Sequence, residues 1–306
     1  MKKVKLTNEA PGRIDHVLPP LLKLSRSAVQ KAIKDGLVLV DGKAATPHTA
    51  VSTANVVTYD AVVTKPVVTE LGAMPKLDVL YEDDSVVVVN KPAGMLSHPA
   101  PKTHEHTLAD VLIATYPAMA DVGDKKERGG LVHRLDREAS GVIIAAKTAD
   151  AFTWLKQQFS ERLTKKTYTV LVLGSVKKDL GVIDFPIARS STGGRMAARP
   201  NSQDGREAVT HYDVVERFPH CTLLDVRIET GRTHQIRAHM FAMQHPVAGD
   251  TLYTQKGVKQ FALGRLFLHA RELQIALPGG EEKTFAAPLP KELQTFLNEL
   301  RERHHK

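Results

Sequence analysis

The pattern of hydrophobic and polar positions divides the chain into three zones. Residues 12–60 predict a small module with an amphipathic segment from Arg13 to Lys23, a second helix and short strands. Residues 61–76 have weak periodicity and contain prolines, so we predict a linker there. From residue 77 to about residue 297, strand-like runs alternate with a few helices. The pattern therefore predicts a small module followed by one larger domain.

One face of the second helix in the small module is rich in cations and amides. We predict that this helix begins after Ser25 as N-cap and stops at Gly36. At about 100° per residue, five polar side chains fall within an arc of about 140°, opposite Val29, Ala32 and Ile33. Such a face suits contact with phosphates, and an ordinary solvated surface helix is the alternative. The polar side chains are those of Arg26, Ser27, Gln30, Lys31 and Lys34.

The composition excludes several classes of protein. With 42% hydrophobic and 25% charged residues, the chain is not disordered as a whole. It contains no run of about 18 apolar residues that would span a membrane, and its basic N-terminus lacks the apolar block of a signal peptide. Its single cysteine, Cys221, permits neither an internal disulfide nor a cysteine-rich zinc site. We therefore expect a cytoplasmic protein with no membrane partner.

Charge adds the first indication of a partner. Lys and Arg number 42 against 34 Asp and Glu, which gives a formal net charge of +8. This surplus favours a polyanionic partner such as nucleic acid, although a well-solvated surface would also explain it.

The stretch from Gly129 to Gly141 carries the densest set of chemical groups. It precedes a strand-like apolar run, so Asp136 is expected on a loop that enters a buried strand. In an extended chain, Arg134 and Asp136 point the same way. Neighbouring cations should keep the carboxyl group ionised, which is the form that a nucleophile needs, although a structural ion-paired loop is the alternative. The cations considered are His133, Arg134 and Arg137.

This stretch resembles the signature of the RluA family of pseudouridine synthases. The family signature reads His-Arg-Leu-Asp, two variable residues, then Thr-Ser-Gly, and the chain follows it from His133 to Gly141. Ala139 departs from it, since the family usually has Thr there. Further segments resemble family motifs in the family's order, so the resemblance covers nearly all of residues 77–293. These segments are Val89 to Pro99, Lys165 to Gly174, Thr230 to Met240, His245 to Asp250 and Leu268 to Ala270.

The small module resembles the S4 RNA-binding domain, which commonly precedes the catalytic domain in this family. The resemblance includes Leu24 to Ser27 and Ile33 to Lys43, where an Asp-Gly turn joins two short strands. The family usually has Asn where this chain has Asp41, and Pro19-Pro20 interrupts the first helix. Together with the polar helix face, the resemblance implies RNA contacts by Arg26, Lys31 and Lys34.

The resemblance implies a specific reaction and catalytic residues. The enzyme would break the N1–C1′ bond of a uridine and join C5 to C1′, with Asp136 as the nucleophile that attacks C1′ or C6. Tyr168 would stack under the target base and is a candidate for removing the C5 proton. Arg237 would pair with the catalytic carboxylate, and Arg232 is the second candidate for that role.

A uridine inside an RNA helix must be flipped out to reach such a site, which costs a few kcal/mol. Stacking on an aromatic ring returns about 1–3 kcal/mol per base. The resemblance implies that Arg134 fills the gap left in the RNA and that Ile236 forms an apolar wall of the pocket. We expect no metal or cofactor, because the isomerisation involves no net oxidation. The spacing of His98, His104 and His106 also does not favour a metal site.

We therefore predict an α+β fold, in which an S4-like module (12–60) and a linker (61–76) precede a catalytic domain (77–297). The resemblance implies a mixed, mainly antiparallel sheet flanked by helices. The predicted function is pseudouridine formation in structured RNA by a monomeric enzyme. Large-subunit ribosomal RNA is the leading substrate, because S4-bearing members mostly act there, and tRNA stays open. The alternatives are a noncatalytic S4-type RNA-binding protein and a hydrolase that uses paired carboxylates, Asp136 and Glu138.

Overall fold

The computed structural model describes residues 2–22, 24–60, 73–100, 105–190, 195–200 and 204–304. The chain divides into two compact units, residues 1–70 and 71–306. This division falls inside the predicted linker, of which residues 61–72 lie outside the described ranges. Within the described ranges, no helix combines the length and the apolar character needed to cross a bilayer.

The first unit packs two helices against short antiparallel strands. The first helix begins at Ile14, and its apolar residues Ile14 and Leu18 are fully buried with Val29 of the second helix. The helix continues through Pro19 and Pro20 to Leu22, so the prolines do not end it. In chain order the elements are β1 (Lys2–Val4), β2 (Gly12–Arg13), α1 (Ile14–Leu22), α2 (Arg26–Lys34), β3 (Val38–Val40), β4 (Lys43–Ala44), β5 (Ala50–Val51) and β6 (Val57–Tyr59).

Helix α2 has the ends that the sequence predicts. The Ser25 Oγ accepts a hydrogen bond from the Ala28 N–H at 3.2 Å, and Gly36 lies beyond the last turn with φ +71°. The apolar side of the helix is buried, and Lys31 and Lys34 are exposed on the polar side. In the first unit, the sheet order is β1-β6-β3-β4, and β2 pairs with β5.

Part of the predicted phosphate-binding face points toward a buried acid. The Asp15 carboxylate accepts hydrogen bonds from Arg26 Nη2 at 2.8 Å and from Gln30 Nε2 at 2.7 Å. Arg13 Nε donates to the other oxygen at 3.1 Å. These donors hold the pKa of Asp15 well below its usual range. The Arg26 guanidinium is therefore hydrogen-bonded to Asp15, while about half of the Arg26 side chain stays exposed.

The second unit is built on one large mixed sheet. In chain order the elements are β7 (Val79–Glu82), β8 (Val86–Lys91), α3 (Leu108–Thr115), 3-10 helices at Pro117–Asp121 and Lys126–Arg128, β9 (Ser140–Ala146), α4 (Ala149–Ser160), β10 (Lys165–Leu173), β11 (Leu180–Ile183), β12 (Ile187–Arg189), β13 (Met196–Ala198), β14 (Thr210–Phe218), β15 (Cys221–Ile228), α5 (Gln235–Ala242), β16 (Leu268–Ala276), β17 (Glu282–Ala286) and α6 (Lys291–His304).

The strand order confirms an α+β fold with a mixed, mainly antiparallel sheet. In the described ranges the order is β11-β14-β15-β10-β16-β9-β8-β7, and β17 also pairs with β16. The β16–β9 pair is parallel, and the others are antiparallel. Every residue of β9 is buried, because this central strand is covered on both faces. Strands β9 and β10, which carry or follow the signature motifs, are therefore interior strands of the sheet, each paired on both edges.

Gly141 allows the signature loop to enter the sheet beside β16. In the parallel pair, Gly141 lies opposite Ala270 with φ +118°. A Cβ at this position would lie 2.1 Å from the Ala270 carbonyl oxygen. The glycine of the signature is therefore required by close backbone approach as well as by its backbone conformation.

We expect Gly141→Ala to destabilise the second unit by about 2–4 kcal/mol, because it adds a steric clash to an unfavourable backbone conformation. Gly279→Ala is the matched control, since Gly279 has φ +100° and a methyl group there would have no atom within 4 Å. The control should cost only about 1–2 kcal/mol. Denaturant unfolding followed by circular dichroism measures both, and equal losses would contradict the role assigned to close approach.

Candidate active site

The loop that carries Asp136 is held on both sides of that residue. Ser97 Oγ donates to the Leu135 carbonyl at 2.9 Å and accepts from the Leu135 N–H at 3.1 Å. The Gly94 N–H donates to the Arg137 carbonyl at 2.7 Å. The segment after β8 thus binds the backbone of both neighbours of Asp136 and fixes the position from which the Asp136 side chain reaches the cavity described below.

A buried lysine adds to this support. Lys91 is fully buried, and its Nζ donates to the carbonyls of Pro92 and Met95, both at 2.8 Å, and of Arg137 at 3.3 Å. Burial lowers the pKa of Lys91 to about 7, and the negative charge of Asp136 opposes this shift. The ammonium group therefore uses its donors to join the segment after β8 to the signature loop.

Two of the three side chains considered as cations near Asp136 bind other partners. His133 Nε2 accepts a hydrogen bond from the Ile144 N–H at 3.0 Å, and burial lowers the pKa of His133 to about 3, so the ring is neutral. Arg137 donates instead to Glu105 at 2.7 Å. His133 is therefore not a cation and Arg137 pairs with another acid, because nearness in sequence does not determine which way a side chain points.

The cation that contacts Asp136 comes from α5. Arg237 Nη1 lies 3.3 Å from Asp136 Oδ2, and the Arg237 side chain is only 4% exposed. Its Nε and Nη2 donate to the two carboxylate oxygens of Asp250 at 2.7 and 2.9 Å. The Tyr253 ring lies 5.2 Å from the guanidinium carbon. Asp250 therefore holds one side of the guanidinium and leaves Nη1 for Asp136.

Arg237 and Asp250 stabilise each other's charged form inside the protein. Hydrogen bonds from Arg237 to Asp250, together with the Asp250 charge, raise the pKa of Arg237 despite burial. Burial alone would raise the pKa of Asp250, but the Arg237 guanidinium and the backbone N–H groups of Leu252 and Tyr253 lower it below its usual range. Both groups therefore stay charged inside the protein.

The turn before α5 orients this arginine. Gln235 Oε1 accepts hydrogen bonds from Thr230 Oγ1 at 2.7 Å and from the Arg232 N–H at 3.0 Å. Gln235 Nε2 donates to the Val209 carbonyl at 2.9 Å. Arg232 Nε donates to the Glu207 carbonyl at 2.9 Å. Of the two arginines considered from the sequence, Arg237 is the one that contacts Asp136.

A cavity of about 500 Å³ opens beside Asp136. Its volume is in the range of pockets that bind small ligands. The Asp136 side chain is 12% exposed, whereas Arg237 lies behind it and does not line the cavity. The predicted site residues that line the cavity are Arg134, Asp136, Tyr168, Arg232 and Ile236.

Tyr168 contributes an aromatic surface from the central strand β10. Its side chain is largely buried. Burial and the negative charge of Asp136 raise the pKa of Tyr168 above its usual range. The phenol is therefore protonated at neutral pH and provides a ring face and a hydrogen-bond donor.

In the part of the chain that the structure describes, no three His, Cys, Asp or Glu side chains are arranged to hold a metal ion. His104 lies outside that part. The arrangement provides one partly accessible carboxylate backed by a buried arginine, next to a protonated phenol. Such a group can act as a nucleophile toward a planar ligand in the cavity.

Family models match both units of the chain. A model described as RNA pseudouridylate synthase matches residues 85–242, and an S4 domain model matches residues 13–57. The chain belongs to the RNA pseudouridylate synthase family. It is therefore a pseudouridine synthase, an isomerase that acts on RNA, and it carries an N-terminal S4 domain.

Similarity to named relatives extends over nearly the whole chain. Ribosomal large subunit pseudouridine synthase D from Xanthomonas campestris pv. campestris is 38% identical over 320 residues, covering 99% of this chain and 93% of the relative. An uncharacterized RNA pseudouridine synthase from Chloroflexus aurantiacus is 41% identical, covering 95% and 90%. The solved structure of human RNA Pseudouridylate Synthase Domain Containing 4 is 27% identical with a TM-score of 0.59, covering 73% of this chain and 92% of that one.

Asp250 is a residue of this site whose role the sequence did not reveal. It belongs to the motif His245 to Asp250, yet no function follows from that motif alone. The role of Asp250 could be anticipated from the fact that a buried arginine requires an acid as partner, since unpaired buried charges are costly. Because Arg237 is buried on α5, an acid in a nearby motif is the candidate partner.

We expect Asp250→Asn to lower the free energy of unfolding by about 3–5 kcal/mol, because it leaves the Arg237 charge buried without its closest partner. Asp179→Asn is the control, since the Asp179–Arg217 pair is largely exposed and should contribute less than about 1 kcal/mol. Denaturant titration of both variants provides the measurement. A loss of stability for Asp250→Asn as small as that of the control would show that Asp250 does not stabilise the buried Arg237 charge.

Proposed function

We propose that this enzyme converts uridine to pseudouridine in large-subunit ribosomal RNA, with Asp136 as the nucleophile. The observation that carries the proposal is the position of the Asp136 carboxylate, which lines the cavity and contacts the buried Arg237. The relative from Xanthomonas campestris pv. campestris is named for the large ribosomal subunit, which supports this substrate over tRNA. We expect the enzyme to act as a monomer in the cytoplasm.

The reaction begins when Asp136 attacks C1′ of the ribose or C6 of the base. The N1–C1′ bond breaks, the uracil turns while it is held in the cavity, and C5 bonds to C1′. The proton on C5 then leaves, N1 ends with a proton, and the carboxylate is released unchanged. The Arg237 guanidinium, 3.3 Å from Asp136, keeps the carboxylate oriented for the attack.

We assign base stacking to Tyr168 rather than removal of the C5 proton. A phenol whose pKa is raised above its usual range is protonated at neutral pH and so does not accept a proton. Its ring is held rigidly in β10 beside the cavity, where a flipped uracil would find a stacking surface.

Two further cavity residues receive substrate roles in this proposal. Arg134 is exposed at the cavity and is suited to replace the flipped base, because a guanidinium stacks on bases and pairs with phosphates. Ile236 is 4% exposed at the start of α5 and forms an apolar wall. Together with Tyr168, they would offset the cost of flipping the uridine.

The S4 domain would supply sequence-independent contacts to the RNA backbone. Lys31 and Lys34 are exposed on the polar face of α2. Arg26 lies on the same helix, and its hydrogen bonds to Asp15 hold the guanidinium in a defined orientation. Such cations add affinity that decreases with salt concentration.

We expect Asp136→Asn to abolish tritium release from ribosomal RNA labelled at uracil C5, because an amide is too weak a nucleophile to start the reaction. RNA affinity should change by no more than a few-fold, since the substitution leaves the cationic surface intact. Tritium release reports formation of the C5–C1′ bond, and filter binding reports affinity. A variant that still releases tritium at the wild-type rate would rule out Asp136 as the nucleophile.

The control for this experiment is Glu138→Gln on the same loop. Glu138 is about half exposed, lies 3.6 Å from Arg237 and does not line the cavity of Asp136. A pseudouridine synthase should keep its activity within about tenfold, whereas a hydrolase with paired carboxylates would lose it. Nucleoside analysis of the product should give pseudouridine, and free uracil would point to hydrolysis instead.

We expect the double substitution Lys31→Gln and Lys34→Gln to weaken RNA binding and to reduce the slope of log K against log salt concentration by up to about two. The double substitution Lys177→Gln and Lys178→Gln removes the same charge from exposed positions of the catalytic unit and serves as control. Binding titrations at several salt concentrations make the comparison. Equal slopes for the two double variants would argue against RNA contact by the polar face of α2.

A further inference from the structure

Lys166 is a buried cation in the wall of the cavity. It lies on β10, is only 9% exposed and lines the same cavity as Asp136. Among the described residues, no hydrogen-bond acceptor or carboxylate contacts its ammonium group, which lies 5.8 Å from the centre of the Phe159 ring. Lys91, by contrast, is buried with three carbonyl acceptors. A buried ammonium group without such acceptors carries an energetic cost.

Arg162 and Arg232 line the same cavity as Lys166. Burial and then the Arg162 charge lower the pKa of Lys166 to about 8. Arg232 also lines the cavity, and its pKa is lowered by burial and by the charges of Arg206 and Arg162. Arg162 thus repels both Lys166 and Arg232, so an anion bound at this end of the cavity would be stabilised.

Two of these cations are fixed in place by one residue. Glu207 binds both ends of the Arg162 guanidinium through its carboxylate at 2.9 and 2.7 Å. Its backbone carbonyl accepts from Arg232 Nε at 2.9 Å. Glu229 also lines the cavity, but its carboxylate is hydrogen-bonded to His211 at 2.7 Å. The arrangement is therefore preorganised, and Lys166 contributes the positive charge that these carboxylates do not contact.

We infer that Lys166, with Arg162 and Arg232, binds one backbone phosphate of the RNA next to the flipped uridine. Lys166 and Tyr168 both line the cavity and are two residues apart on β10, which separates their Cα atoms by about 7 Å. A base on the tyrosine and a phosphate on the lysine would thus belong to the same or an adjacent nucleotide. The inference rests on the proposed function for the identity of the anion.

An alternative is that Lys166 has a structural role only. Its aliphatic stem would then pack in the cavity wall while its ammonium group lies over Phe159. This alternative predicts no change in RNA binding when the charge is removed. The two explanations therefore differ in a measurable quantity.

The first test compares Lys166→Gln with Lys165→Gln in the full-length chain. Lys165 is the exposed neighbour on β10 and does not line the cavity. Binding to an unmodified large-subunit ribosomal RNA transcript is measured at several salt concentrations, in the Asp136→Asn background so that no turnover occurs. We expect Lys166→Gln to weaken binding about tenfold and to lower the salt slope by about one, with a smaller effect for Lys165→Gln.

A second test locates the phosphate. RNA fragments that contain the uridine targeted by the enzyme are prepared with a single neutral methylphosphonate. Each fragment carries it at a different phosphate on either side of that uridine. At one position, the methylphosphonate should weaken RNA binding by the protein with Lys166 about tenfold. The same RNA should bind the Lys166→Gln variant as tightly as unmodified RNA does. If every position weakens both proteins equally, or if the salt slope of Lys166→Gln equals that of Lys165→Gln, the phosphate subsite is wrong.

Folding and function are separated in these tests. Lys166→Met keeps the packing of the stem on Phe159 and removes only the charge, so it replaces Lys166→Gln if that variant unfolds. Lys166→Arg keeps the charge and should retain the wild-type salt slope. If the wild-type enzyme releases no tritium, the proposed function fails, while the binding measurements still decide the role of Lys166.

Discussion

The candidate active site depends on one buried guanidinium, which Asp250 holds on one side and which faces Asp136 and the more exposed Glu138 on the other. Arg237 is almost completely buried, and Asp250 binds two of its nitrogens at 2.7 and 2.9 Å. The remaining nitrogen contacts Asp136 at 3.3 Å. Because Asp250 neutralises and orients the arginine, Asp136 can remain an accessible carboxylate at the cavity instead of forming a closed, bidentate ion pair. Such a pair would stabilise the acid but would hinder the nucleophilic role that we propose for it.

Hydrogen bonds elsewhere in the second unit hold Asp136 and Arg237 in position relative to each other. The segment after β8 fixes the backbone on either side of Asp136 through Ser97 and Gly94. On the other side, Gln235 closes the turn that begins α5. Both ends are therefore attached to rigid elements, which limits the loss of orientation that a flexible loop would allow.

Cations near the cavity fall into groups with different surroundings. Lys91 is buried, and its donors are satisfied by backbone carbonyls. Arg237 is buried and paired with acids. Lys166 is buried beside other cations and has no acid contact among the described residues. This difference separates cations that maintain the fold from those whose charge is available to a polyanionic substrate, which net charge alone does not show.

Features that depend on a few neighbouring residues were determined by the sequence. Ser25 caps α2, and the apolar face of that helix is buried as its periodicity predicts. The ordered motifs, including the signature around Asp136, indicated the RNA pseudouridylate synthase family, and the match over residues 85–242 agrees. Capping and periodicity act within a few residues, so the sequence alone is sufficient for them.

Only the tertiary structure decided which charges meet. His133 and Arg137, close to the loop acid in sequence, turn to other partners, whereas Arg237 reaches Asp136 across 101 positions of the chain. Asp250 and Lys166 also acquire their surroundings from strands and helices that are distant in sequence. Side-chain direction and burial set these ion pairs, and both arise only when the sheet and α5 have packed together.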